Sequence, residues 1–540
     1  MTLLDFPATR PEAEAADARS ARRSRWRRRS REVGYWLLPI LLTAVQAVWI
    51  AHSTRLLRFE EVAEAVRNVY WLEHRALYDG ISTNVGWYGL LLAAYRLFGF
   101  SPFTAKWVRL GLHAGALLCL AWVLRRGFGR GARPAMGPGR AAVPLLAVGL
   151  SPSILFFNTL ETSFGSDLLF LPYLLALLAA LPVAGGGLRR GLDGAARAAF
   201  GALAMIAWMS YPVFAFYLPG LAWAYASRPA PGSAPEPAPE PGRRLPGLSA
   251  RALLPAIAGF LLPLLAAVLW LERPARLFHD PATGSGLFRG GGTGLVLEPS
   301  AVAWNAAHAL RDLVLRGRSY YYWVESPDLA GPLGLLALGA VAAGGLWLFR
   351  RRPPLRPWLL LAALLPAINL LVVSASEGPQ GLRRATSLLA GFYLLYTLVW
   401  REATAPAGSG EARPPRERRL RSALAVGLAL LPLHHLGSAA AQLPRLPWAG
   451  AEQTHLWLRI LPSAEESLEL WLDRTAAGEV LDCRELGLGP ERCQYGGIFA
   501  LLSGYRRWNG LEPVPLQGYD YRSGRAVELS IARQSGEFSR

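Results

Sequence analysis

The feature that most constrains this chain is a series of apolar runs close to the length that crosses a bilayer, about 20 residues. They lie at 34–52, 106–124, 141–158, 167–184, 198–210, 212–227, 252–271, 331–349, 357–374, 385–400 and 422–440, about eleven in all. Hydrophobic residues make up 52% of the 540 and charged residues only 18%, more apolar surface than soluble domains of this length need. The expected fold is an all-α polytopic membrane protein with amphipathic helices in its external loops and a small external C-terminal domain of α+β type. Tyr211-Pro212 alone divides the fifth run from the sixth. Fused into one span, they would invert every later segment.

The arginines decide between those topologies. A formal charge of +19 would suit a nucleic-acid partner, but the basic residues cluster in alternate loops: Arg19 to Arg31, then 125–140, 189–197, 243–251, Arg350 to Arg356 and 413–421. Eleven spans that start from a cytoplasmic N-terminus put all six clusters inside, as the positive-inside rule requires, and nucleic acid is not expected as a partner. The hairpin at Tyr211-Pro212 is therefore kept. Residues 1–33 read as a disordered basic cytoplasmic segment lying against anionic membrane lipid. The apolar run that follows is too long for a cleaved leader and no small-residue cleavage motif follows it closely, so it reads as an uncleaved first helix. Residues 34–440 form the membrane module, interrupted by a Pro-rich cytoplasmic linker at 228–248. The external loops are 53–105, 158–167, 272–330 and 374–384, and 441–540 is the external C-terminal domain. The protein belongs in this reading to the cytoplasmic membrane, multi-pass, with its C-terminal domain outside.

An external active surface excludes ATP and NAD as substrates in an ordinary cell envelope. Energy for a synthetic reaction must then arrive within the substrate, and lipid-linked activated sugars meet that condition. The first external loop opens on an acidic pair, Glu60-Glu61, and acids held at a bilayer surface are candidate functional groups because an unpaired carboxylate is costly to bury. The plain alternative is that Glu60, Glu61, Glu64, Arg67 and Asn68 form the wet face of an interfacial helix whose other face is Val62, Val66, Val69 and Tyr70, at i, i+3 and i+4 spacing.

From about residue 40 to 185 the order of motifs resembles the GT-C superfamily of polytopic glycosyltransferases, and in particular the branch of aminoarabinose transferases and protein O-mannosyltransferases. The residues that carry the resemblance are Phe59-Glu60-Glu61, Leu77-Tyr78-Asp79-Gly80, Trp87-Tyr88, Leu97-Phe98-Gly99 and Arg109. It implies a glycosyltransferase, hexosyl or pentosyl, that takes its sugar from a polyprenyl phosphate and passes it with inversion to a lipid, glycan or protein acceptor. Glu60 would be the general base and Glu61 its catalytic neighbour. The chain departs from the family in one respect: the usual pair is Asp-Glu, whereas Glu60 stands at the Asp position. The extra methylene requires a different backbone placement to reach the same atom, and an ångström matters.

The chemistry agrees with the residue types. A positioned carboxylate can take the proton of an attacking hydroxyl or amine, and a phosphate leaving group calls for fixed cations, which a guanidinium supplies well. Arg383 and Arg384 in EGPQGLRRATS are best placed for that, with Lys106, the one lysine, and Arg109 second; the arginine pair could equally anchor headgroups. In the second loop, family relatives hold an acid opposite the first-loop pair, and Asp167 matches that place better than Glu161, although a helix cap explains Asp167 as well. Tyr320 and Tyr322, in the run Tyr320-Tyr321-Tyr322-Trp323, would stack on sugar or prenyl chain, or form an interfacial belt. The glycines of 285–294 lack the Gly-Lys-Ser/Thr of a phosphate-binding loop and suggest a loop that orders over lipid substrate. His279-Asp280 and His434-His435 lack partners at metal-ligand spacing, so no metal or other cofactor is expected to be required. Cys483 and Cys493 fall in the external tail and are expected to form a disulfide. Other readings of the whole are a transporter or flippase for lipid-linked glycans, a polymerase or ligase of such glycans, and a scaffold with a degenerate site.

Overall fold

The computed structural model describes residues 10–53, 84–99, 104–126, 136–159, 165–181, 187–226, 250–279, 298–314, 317–319, 322–324, 328–352, 386–406, 414–443, 516–520, 525–531 and 538–539, with scattered positions between them. Helix α1 spans Arg10–Ser53. Its basic first half is helical and continuous with the first apolar run, which corrects the expectation of disorder from residue 10 onward. Pro11 in the first turn and the Ala, Glu and Arg that follow are good helix formers, and reading that segment by its charge overlooked them.

The next helices are α2 (Val85–Phe98), α3 (Thr104–Arg126), α4 (Pro138–Gly149), α5 (Pro152–Phe157) and α6 (Ser166–Ala180). Then come α7 (Gly187–Ser210), a 3-10 helix over Pro212–Tyr217, α8 (Leu218–Ala226), α9 (Ala250–Trp270), α10 (Ala275–Phe278) and α11 (Pro299–Val314). A two-stranded antiparallel hairpin, β1 (Gly317–Ser319) with β2 (Tyr322–Val324), leads to α12 (Gly331–Arg351), α13 (Thr386–Ala403) and α14 (Pro415–Gln442). In the tail, β3 (Leu516–Asp520), β4 (Arg525–Ile531) and β5 (Phe538–Ser539) pair antiparallel in chain order. Among the described residues, five helices are long and apolar enough to cross a membrane: Arg29–Ala51 within α1, α3, Leu253–Trp270 within α9, α12 and α14. Of the remaining apolar runs, 198–210 falls on α7, a helix of 24 residues, the others fall on shorter helices, and of 357–374 only scattered residues are described. The chain is a helical, polytopic membrane protein.

The run 141–158 is not one helix. Pro152 has no amide proton to continue α4, so the helix ends near Gly149 and Ser151 starts the next, accepting a bond from the amide of Ile154 at 3.2 Å. The second interruption, at Tyr211-Pro212, reverses the chain. Arg197 and Tyr225, 28 residues apart and centred on that dipeptide, meet through Nη1 and the phenol at 2.8 Å, and Tyr225 stacks on Phe200 with ring centres 5.4 Å apart.

One core cluster unites α1, α3, α4 and α5 with α12, α13 and α14 through Leu42, Leu117, Leu145, Leu155, Val341, Tyr396 and Leu428. A second gathers α6, α7, α8 and the 3-10 helix around Phe170, Leu174, Phe200, Phe214 and Leu221. Helix α9 packs on α7 at a backbone crossing: a Cβ on Gly201 would meet the Ala256 carbonyl oxygen at 2.0 Å, and one on Gly259 the Ala198 carbonyl oxygen at 1.9 Å.

Candidate functional site

The polar side chains that the bundle buries gather where α1 and α5 finish and α3 and α6 begin. Lys106 and Arg109 lie in the first turns of α3, 2% and 0% exposed. Arg109 donates through Nη1 to the Phe157 carbonyl at 2.8 Å and lies over the Trp87 ring of α2 at 4.6 Å. A guanidinium at this depth is stable only when its hydrogen bonds and its charge are both answered, and the carbonyl and the indole face contribute to each. The last turn of α5 holds the next layer. Asn158 donates to Gln46 Oε1 of α1 at 3.3 Å and contacts His113 Nδ1 of α3 at 3.0 Å, while Gln46 donates to the Leu155 carbonyl at 3.1 Å.

Asp167, wholly buried in the first turn of α6, accepts a bond from the Tyr217 hydroxyl at 2.9 Å. It is not the cap residue: that position is Gly165, with φ of 72°. A Cβ there would meet the Phe157 Cβ at 2.7 Å, so the glycine lets the start of α6 close on the end of α5. Phe157 thus touches both functional elements, its carbonyl taking Arg109 and its side chain meeting Gly165. Around it, His113 Nε2, Ser163 Oγ and Ser166 Oγ are buried without a hydrogen-bond partner among the described residues. Such a group of polar atoms suits a polar ligand or ordered water.

Helix α2 lies across the neighbouring helix ends. A Cβ on Gly86 would fall 2.7 Å from the Ile206 carbonyl oxygen of α7, and at the other end of α2 Arg96 lies over Trp270 of α9, 5.6 Å from the ring. Arg75 covers the same ring at 5.3 Å and Trp270 donates to the Leu72 carbonyl at 2.8 Å, which fastens the far part of the first loop to α9. Leu97 and Phe98 end α2 largely exposed before Gly99 turns the chain at φ 79°.

Of the residues singled out in the sequence, Arg109 is bonded to the Phe157 carbonyl, Asp167 follows by two residues the Gly165 that abuts the Phe157 side chain, and Lys106 lies one turn before Arg109 on α3. The backbone of Tyr322 lies in β2, paired with Ser319. Glu60, Glu61, Glu161, Tyr320, Arg383, Arg384, Cys483 and Cys493 fall outside the described residues. Among the described residues no group of three His, Cys, Asp or Glu is arranged to hold a metal ion.

Sequence reading missed Tyr217 and a second buried cluster, 0% exposed, around Asp328 and His435. Asp328, at the end of the loop 272–330, accepts through Oδ1 from the hydroxyls of Ser151 and of Tyr393, the latter at 2.6 Å. Between this cluster and Asp167 lies a cavity of about 120 Å³, walled by Leu124, Leu168, Leu171, Leu221, Tyr217 and Tyr393 among others. The only local hint was an acid directly before an apolar run.

No family model and no curated protein matches this chain. Among solved structures it is similar to ArnT from Cupriavidus metallidurans, in a crystal structure bound to undecaprenyl phosphate, with 13% identity, 88% of each chain covered and a TM-score of 0.45. The functional reading of this chain rests on its own residues.

Proposed function

We propose that the chain is a membrane glycosyltransferase of GT-C type, moving a sugar from a polyprenyl phosphate donor to a lipid, glycan or protein acceptor on the external face of the cytoplasmic membrane. The observation that carries the reading is Arg109, a wholly buried guanidinium near one end of a membrane-crossing helix. A fixed cation in so apolar a setting is expensive, and its common use is to bind or stabilise a negative charge. The carrier phosphate is that charge. In the proposed reaction Glu60 takes the proton of the acceptor hydroxyl or amine as its oxygen or nitrogen attacks the anomeric carbon. The bond from that carbon to the phosphate oxygen breaks, with inversion, and the released phosphate gathers charge against Arg109 and Lys106, with Arg383 and Arg384 from the fourth loop. Glu61 flanks the base. Asp167 holds the acceptor side, and the tyrosines of the third loop cover sugar and prenyl chain. The phosphoester supplies the driving force, so the reaction needs no cofactor.

The test uses the full-length protein in lipid nanodiscs with a panel of polyprenyl phosphate sugars and an extract of envelope acceptors. Mass spectrometry follows free polyprenyl phosphate for the native chain, Glu60→Gln and Arg109→Gln. Release by the native protein that both variants lose supports the assignment, and the donor consumed names the sugar. Equal release by native protein and Glu60→Gln removes Glu60 from its role. A second reading, a transporter of lipid-linked glycans, draws on the interruption between α4 and α5, since broken membrane helices line substrate paths in such proteins. It predicts that the donor crosses the bilayer chemically unchanged and that no carrier is released.

A further inference from the structure

The cluster around Asp328 joins four elements at the interruption between α4 and α5. In an unbroken helix the Ser151 amide would bond to Ala147; here it turns to the Val148 carbonyl at 3.2 Å, which leaves the Ala147 carbonyl without its helical partner. His435 of α14 fills the place, with Nδ1 2.7 Å from that oxygen. Its other nitrogen, Nε2, faces the Asp328 carbonyl oxygen at 3.2 Å and the Asp328 carboxylate oxygen Oδ1 at 3.8 Å. Carbonyl oxygens only accept, so the imidazole donates to whichever of the two faces its protonated nitrogen. The two hydroxyls of Ser151, the cap of α5, and Tyr393 of α13 donate to Asp328 Oδ1 and tie the same point to two further elements. His434 stands beside the pair with its ring centre 5.8 Å from that of His435. Asp328 Oδ2 is buried and carries no hydrogen bond among the described residues.

Helix α5 leads from this cluster directly to the candidate site. Ser151 caps its start, and its last residue presents the carbonyl that receives Arg109. The six residues of α5, Phe157 included, are all buried and rise about 9 Å, with Leu155 bonded to Gln46 of α1. Strand β2, just before Asp328 in the chain, also lies against α5. A short helix held at both ends by polar bonds transmits a shift at one end to the other, because it has no free turn to absorb it.

We infer that Asp328 and His435 are positioning residues for Arg109: their pair, with Ser151, fixes the interruption between α4 and α5 and thereby the place where α5 offers its terminal carbonyl to the guanidinium. The same pair fastens the end of the loop 272–330 to that point, so the loop and the phosphate-binding cation share one anchor. The inference rests on the reading of Arg109 as a phosphate ligand for its consequence in binding, but not for the coupling itself.

The experiment measures both in the full-length protein in nanodiscs. Hydrogen exchange is followed over 150–159, with α9 as a distant control, and binding of undecaprenyl phosphate is measured by native mass spectrometry. Asp328→Asn and His435→Gln are expected to raise exchange over 150–159 and leave α9 unchanged, and to weaken carrier binding about tenfold. Combined with Arg109→Gln they should weaken it no further than Arg109→Gln alone. Tyr393→Phe, which removes one donor and keeps the pair, serves where the stronger variants fail to fold, and should show the same pattern at smaller size. Unchanged exchange over 150–159, or a rise shared equally by α9, overturns the inference. So does losses of binding that simply add to that of Arg109→Gln. Should the native protein bind no undecaprenyl phosphate, the reading of Arg109 falls, and the exchange data alone still decide whether Asp328 and His435 govern α5.

Discussion

The two core clusters of this bundle are built by different rules. Around α1, α4, α5 and α14 the helices are stitched by buried polar bonds that run from a side chain to another helix's backbone: Tyr35 to Ala121, Gln46 to Leu155, His435 to Ala147, Arg109 to Phe157. Around α7, α8 and α9 contact is made by stacked rings and by glycines that admit a neighbouring backbone, with Arg197 and Tyr225 as a polar exception. Of the span in α3, 39% is buried, against 11% of that in α9. A polar bond in an apolar medium fixes register as well as proximity, since a slip leaves both partners unanswered. Close packing alone tolerates rotation. The candidate site sits in the stitched region, where a cation can be held to a fraction of an ångström.

The sharpest way to break the contrast is at the α7–α9 crossing. Gly259→Leu would drive a side chain into the Ala198 backbone, and we expect it to detach α9 and abolish recovery of monodisperse protein on size exclusion, beyond the roughly 1–3 kcal/mol of ordinary overpacking. The exposed neighbour Leu262, replaced by Ile, should leave recovery unchanged. Arg109→Lys comes next. A lysine keeps the charge but cannot both reach the Phe157 carbonyl and lie flat on Trp87, so carrier release should fall by about a hundredfold with little change in thermal midpoint. Tyr217→Phe removes the hydroxyl that answers Asp167 and should lower stability by about 1–3 kcal/mol in chemical denaturation. Smallest is Tyr225→Phe, which keeps the ring stack and loses the bond to Arg197. We expect roughly 1 kcal/mol and unaltered carrier release, as befits a region that packing holds together.

Much of this was legible in the sequence, for reasons that also mark its limit. Apolar runs and prolines are local signals, so the helices and the reversal at Tyr211-Pro212 could be read directly, and Pro152 lay in plain view inside the third run although its consequence was not drawn. Arg109 and Asp167 stood out because charge next to an apolar run is locally odd. Asp328 did not, because what makes it special is spread along the chain: Ser151 is 177 residues away, Tyr393 65 and the His435 contact 107. No window contains them together. His434-His435 stood out only for lacking metal-ligand partners; His435 is buried, and its two carbonyl partners give it a meaning that only the fold supplies. The basic start of α1 shows the converse, a local helix preference present in the residues and masked by attention to their charge.

Helix α9 turns Leu254, Ile257, Leu261, Leu262, Leu265 and Leu269 outward and is placed on α7 by Gly201 and Gly259. Its sequence therefore specifies very little. Most of its letters need only be greasy, and its address in the molecule is written in one of them, Gly259, and in Gly201 of α7. A designer could rewrite the outward face almost at will, whereas a single methyl group added at either glycine would erase the instruction.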